Sequence, residues 1–156
     1  MLDVRPEFKM FVDRLDEKFE RLLAMSPVTA ETIPSTAPKG GVYLFGTLDK
    51  PLYVGRTKQP IAKRIVGHID NSPDSPFAFR LARERTGRTT GQYTKQQSRK
   101  TILQDEGFLR AFEAAKREIK RMEPRWVDES DPTKQALLEI YVATVLKTPY
   151  NDFDTH

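Results

Sequence analysis

The sequence predicts an α+β domain, on three observations. Two apolar, aromatic, glycine-marked runs, Gly41-Val42-Tyr43 and Tyr53-Val54-Gly55, flank the turn-rich stretch Gly46-Thr47-Leu48-Asp49-Lys50-Pro51 and read as a β-hairpin. A further short run, Arg125-Trp126-Val127-Asp128-Glu129, reads as a third strand. Most of the remaining chain carries apolar residues at helical spacing.

Residues 5–24 place Phe8, Phe11, Val12, Leu15, Phe19, Leu22 and Leu23 on one side of an amphipathic helix, with charged residues on the other. Such a helix packs on its own domain or against a second copy. Ser26 to Pro38, with three prolines, reads as a loop or linker. The hairpin follows over about 41–55. With its centre near Leu48, Tyr43 and Tyr53 stand opposite each other and share a face, so two phenols point into one place. Tyr in a strand is ordinarily sheet packing, and only its company argues otherwise.

Pro60 suits a first helical turn, and Ile61, Ile65 and Ile69 recur at spacing four, predicting a helix over about 60–71. Ser72, Pro73, Ser75 and Pro76 end it. A short helical piece runs from Phe77 to Arg85, and 86–98 reads as a loop. The next helix spans about 106–122 with Phe108, Leu109, Phe112, Ala115, Ile119 and Met122 inward. Asp131 is a good N-cap and Pro132 a good first residue for a last helix over about 132–147, which Thr148-Pro149 stops.

The chain has 156 residues, 38% hydrophobic and 31% charged, enough for one domain with a real core. No run approaches a transmembrane span, and Asp3, Arg5 and Glu7 interrupt any signal peptide, which makes the cytoplasm the default expectation. Cysteine is absent, which excludes disulfides, a cysteine nucleophile and thiolate metal sites. With only His68 and His156, a histidine-rich zinc site is not expected. The formal charge is +4. Between Phe79 and Lys100 stand Arg80, Arg83, Arg85, Arg88, Lys95, Arg99 and Lys100 against the single acid Glu84, so this segment alone exceeds the whole excess. Concentrated positive charge is the footprint of a polyanion partner, though rows of cations are also ordinary solvated faces.

Glu139 is the most informative charge. Its neighbours are Leu137, Leu138, Ile140, Tyr141, Val142 and Ala143, and a helix apolar on nearly every side is largely buried. A carboxylate there needs an arginine partner or a cation such as Mg²⁺ or Mn²⁺. Arg64 and His68, four apart, share a helix face just after the hairpin, and Arg56 adds a cation at the strand end. Asn151, past the helix stop, is a turn residue or a tie between the C-terminal segment and the site.

Taken together, Gly41-Val42-Tyr43, Tyr53-Val54-Gly55, Arg64, His68, Glu139 and Asn151 resemble the GIY-YIG nuclease superfamily. The resemblance covers about residues 39–152. It leaves 1–38 as an N-terminal helix and linker, and 39–156 as the nuclease-like domain with a basic insertion at about 74–125. It implies a small antiparallel sheet of three strands flanked by helices. It implies a site of Tyr43, Tyr53, Arg56, Arg64, His68, Glu139 and Asn151, with Glu139 binding one Mg²⁺ or Mn²⁺. Val42 and Val54 stand where the family has isoleucine.

The implied activity is metal-dependent endonucleolytic hydrolysis of DNA, with RNA as the other candidate substrate. Arg64 would stabilise phosphate charge, Tyr43 or Tyr53 with His68 would take a water proton, and the basic segment would hold the backbone. The alternatives are a nucleic-acid-binding module on a nuclease fold that no longer cuts, and an interaction subunit using the helix over 5–24. Monomer and homodimer both stay open.

Overall fold

Alternation along the hairpin decides which side chains meet. The computed structural model describes residues 3–88 and 99–153. Strands β1 (Lys39–Gly46), β2 (Pro51–Pro60) and β3 (Arg125–Asp128) form one antiparallel sheet in the order β2-β1-β3. Around it lie helices α1 (Pro6–Ala24), α2 (Ile61–Gly67), α3 (Pro76–Thr86), α4 (Arg99–Ile102), α5 (Glu106–Lys120) and α6 (Pro132–Leu146), with a 3-10 turn at Ala30–Thr32. This is the α+β architecture expected. Lys95 and most of the loop expected over 86–98 lie outside the described residues.

The register corrects one expectation. Tyr43 pairs with Gly55, and Tyr53 pairs with Phe45, so the two tyrosines are offset by two residues. An offset of two preserves the face. Tyr43, Phe45 and Tyr53 therefore still lie together, and they form one core with Ile61, Ile65, Phe77, Phe79, Phe108, Phe112 and Ile119 from α2, α3 and α5. Val42, Leu44, Val54 and Val127 point the other way into a second core with Leu15, Phe19 and Leu22 of α1 and Leu138 and Val142 of α6. Three layers result, helices on both faces of a small sheet. The expected linker carries a turn that docks: Ala30 is buried, and its N–H donates to Met122 O at 3.1 Å.

Several boundaries move for local reasons. Pro60 ends β2 and caps α2, which then runs only to Gly67, shorter than the 60–71 expected. Leu109 is among the exposed large hydrophobics of α5. Helix α6 is not enclosed all round: Leu138 and Val142 are buried, whereas Ile140 is 46% and Val145 48% exposed. Asp131 caps α6 by accepting from Lys134 N at 2.8 Å, and Pro132 opens the helix, as expected. Among the described residues no helix is long and apolar enough to cross a membrane.

Candidate active site

Two glycines make room for the site. A Cβ on Gly55 would run into the Cζ and Oη of Tyr43, because the tyrosine ring crosses directly over that backbone. A Cβ on Gly41 would collide with Val127 O and come within 2.9 Å of Ile61 Cδ1. The glycines flanking each tyrosine run thus let β1, β3 and the Tyr43 ring close together.

The phenol of Tyr43 is the centre of a buried chain of hydrogen bonds. Arg64 Nε donates to Tyr43 Oη at 3.2 Å, and Tyr43 Oη lies 2.8 Å from His68 Nε2. His68 Nδ1 lies 2.7 Å from Ser75 Oγ, which accepts from Ala78 N at 3.1 Å as the N-cap of α3. His68 is 0% exposed. Two proton arrangements satisfy this chain. In one, Tyr43 donates to Nε2 and Nδ1 donates to Ser75; in the other, Ser75 donates to Nδ1 and Nε2 donates to Tyr43. Burial, then the charges of Arg64 and Lys116, push the imidazole down to about 3, so it is neutral. Burial also pushes the Tyr43 phenol well above its ordinary range, which outweighs the opposing pull of Arg64. At Tyr43 desolvation wins, and the phenol stays protonated with a neutral imidazole beside it.

Arg64 is held at two points. Its Nη1 donates to Asp74 O at 2.9 Å while Nε serves Tyr43, and Nη2 lies outside both bonds. Tyr53 stacks on Phe77 with centroids 4.9 Å apart and lies 5.9 Å from the His68 ring. Burial raises its phenol first and the Glu139 charge second, opposed by Arg64, Arg80 and Arg99.

Glu139 comes from the opposite side. Arg56 pairs with Val42 in the register and so belongs to the Val54 face, and its Nε lies 3.5 Å from Glu139 Oε2. The Glu139 side chain is 19% exposed, half-buried rather than enclosed. Its charge adds to the upward push on both Tyr43 and Tyr53, although the Arg56–Glu139 pair lies on the other face of the sheet. Asn151 fastens that edge. Its Oδ1 accepts from Val54 N at 2.8 Å, and its Nδ2 donates to Val54 O at 2.7 Å, the two bonds a neighbouring strand would make. Thr148 Oγ1 donates to the same Oδ1 at 2.8 Å. Asn151 thus ties the C-terminal segment to strand β2 next to Tyr53.

The donor set suits one kind of metal binding. Among the described residues no group of three or more His, Cys, Asp or Glu converges, so an all-protein cage is not formed there. Burial raises Glu139 more than Arg56 lowers it, leaving a carboxylate whose desolvation is incompletely compensated. That fits a hard cation held by one carboxylate, waters and substrate phosphate, the usual habit of Mg²⁺.

The basic segment changes most between sequence and structure. Arg85 is paired with Glu118, Arg88 with Asp105 at 3.0 Å, and Arg80 with Asp152 at 3.9 Å. Arg99 lies over the Phe79 ring at 5.1 Å, and Arg83 Nη1 donates to Arg88 O at 3.5 Å. Lys100 is exposed. Much of the local excess is thus answered by acids far along the chain. Sequence reading missed Ser75, although Ser-Pro ahead of an apolar run is an N-cap signal. A scan of protein-family models, a search of curated proteins and a search of solved structures find no match to this chain.

Proposed function

We propose that this chain is a divalent-metal-dependent endonuclease of the GIY-YIG type that hydrolyses phosphodiester bonds in DNA. The observation that carries the proposal is the linked set Arg64–Tyr43–His68 against strand β2, with Glu139 paired to Arg56 on the other face of that strand. In that set one buried phenol is bonded at once to a guanidinium and an imidazole.

Glu139 would hold Mg²⁺ or Mn²⁺, which supplies Lewis-acid stabilisation of phosphate and leaving-group charge. Arg64, anchored through Nε and Nη1, offers Nη2 to a phosphate oxygen. Tyr43 hands its proton to His68 Nε2 as it takes one from an attacking water, so the phenol is never a free anion in the buried site. The phosphate arriving beside Arg64 brings negative charge that favours the imidazolium. Ser75 then accepts from His68 Nδ1–H and holds the ring in plane. Arg99, over the Phe79 ring, extends the positive field for the backbone.

The test incubates supercoiled plasmid with the protein and Mg²⁺. Nicking by wild type, abolished by Glu139→Ala, is the expected result. DNA binding with no nicking under Mg²⁺ or Mn²⁺ would instead identify a binding module. That second reading draws on the Arg56–Glu139 pair, which already occupies one carboxylate oxygen.

A further inference from the structure

Lys116 is a charged residue where the sequence of α5 calls for an apolar one. It lies four positions after Phe112 and three before Ile119, on the buried side of the helix, and is itself 6% exposed. Its ammonium uses all three protons on backbone carbonyls. It donates to Gly67 O at 3.2 Å, to Asp70 O at 2.7 Å and to Ser72 O. The Asp70 carboxylate lies 3.8 Å away and the Phe112 ring 5.2 Å away.

The segment gripped in this way is the one that builds the site. Residues 67–75 follow directly on the helix bearing Arg64. They contain His68, the Asp74 carbonyl that anchors Arg64 Nη1, and the Ser75 hydroxyl that contacts His68 Nδ1. Within the segment, Ser72 N donates to Asp70 Oδ1 and Asp74 N donates to Ser72 Oγ, which shapes the turn. His68, bonded to Tyr43 Oη, and Ile69, packed on the aromatic core, hold its first part against the rest of the molecule, and the Lys116 ammonium reaches Asp70 and Ser72 from helix α5. Burying an ammonium is costly unless every proton is matched, and three carbonyls converging on one point are costly unless a cation sits there. The arrangement therefore has one low-energy geometry.

We infer that Lys116 is a positioning residue: by holding the carbonyls of Gly67, Asp70 and Ser72 it fixes the segment 67–75 and aims Arg64 and His68 at Tyr43. Helix α5, which lies between the hairpin and β3, acquires a role as a brace for the site. The inference deepens the nuclease reading and rests on it for its catalytic readout, while its structural readout stands alone.

The experiment uses the full chain with Lys116→Met, which keeps length and removes the donors, and Lys116→Gln, which keeps two. The first readout is the imidazole ¹⁵N spectrum of His68, easily assigned because the sequence holds only two histidines. Wild type shows one dominant neutral tautomer. In folded Lys116→Met the tautomers average, nicking falls at least about tenfold in kcat with KM little changed, and Lys116→Gln lies between. The second readout is rescue. Lys116 lines an open cavity of about 570 Å³ with Ile69, Leu103 and Phe112, through which a small amine can enter. Ethylammonium restores the His68 spectrum of Lys116→Ala. A folded Lys116→Met with a wild-type His68 spectrum overturns the inference, as does failure of both Met and Gln variants to fold, which assigns Lys116 to general stability. If wild type does not nick DNA, the nuclease reading fails, and the His68 spectrum still decides the role of Lys116.

Discussion

The two faces of the sheet are built from the same three strands and do different work. Val42, Leu44, Val54 and Val127 meet Leu15, Phe19, Leu22, Leu138 and Val142 in a core that is aliphatic apart from Phe19. Tyr43, Phe45 and Tyr53 meet α2 and α3 through aromatic rings and a buried polar chain that ends on the Ser75 cap. The aliphatic face tolerates exchange of one hydrocarbon for another of similar volume. On the aromatic face every polar atom depends on its neighbour, so a small displacement breaks several bonds at once. Stability is drawn from both faces, whereas the candidate chemistry sits on one and borrows Glu139 around the edge strand.

The sharpest way to break this contrast is at Gly55. In Gly55→Val the new side chain occupies the space of the Tyr43 ring, and nicking falls by roughly 10²-fold or more, because displacement of about 1 Å has that scale of effect. Single-turnover cleavage reads it. The matching change on the other face is Leu138→Ala. That residue is 0% exposed, so urea unfolding should show a loss of about 2–5 kcal/mol.

A pH series probes the buried imidazole. His68 titrates near 3 in the folded protein, far below the ordinary 6.5 it regains on unfolding. The unfolded chain therefore binds the extra proton, and stability, full above pH 6.5, falls as pH drops from 6.5 toward 3. The slope from this one group reaches about 1.4 kcal/mol per pH unit. Urea unfolding of His68→Gln between pH 7 and pH 4 should show a correspondingly shallower dependence.

The smallest effects separate the cations paired with acids from Arg99, which lies over the Phe79 ring. Arg85→Gln and Arg88→Gln remove charges already answered by Glu118 and Asp105. They should leave DNA affinity nearly unchanged and cost about 0–1 kcal/mol of stability. Arg99→Gln should lower the salt slope of binding by about 0.9. Filter binding across a salt series measures all three variants.

The contrast between the faces also explains what could be read from sequence. Period-two alternation around Tyr43 and Tyr53 exposed the hairpin and the shared face, and period-four isoleucines exposed α2. The register escaped because an offset of two residues leaves every face unchanged, so the apolar pattern cannot detect it. The basic segment was misleading for a different reason: Arg85 and Glu118 are 33 positions apart, and a local charge count cannot see that pairing. Arg56 and Glu139 were both singled out, yet their ion pair depends on how α6 lies along β2. Lys116 could have been found. The reasoning that made Glu139 conspicuous, a charge within an apolar helical stripe, applies equally between Phe112 and Ile119.

The most direct test of the division between the faces is single-turnover cleavage of a DNA duplex in Mg²⁺ by Tyr43→Phe and Leu138→Ala, side by side, at a temperature where both are folded. Tyr43→Phe keeps the ring and removes only the oxygen shared by Arg64 and His68. The account predicts a loss of about 10²-fold for Tyr43→Phe and a wild-type rate for Leu138→Ala. Equal rates for the two variants, or a larger loss in Leu138→Ala, would contradict it.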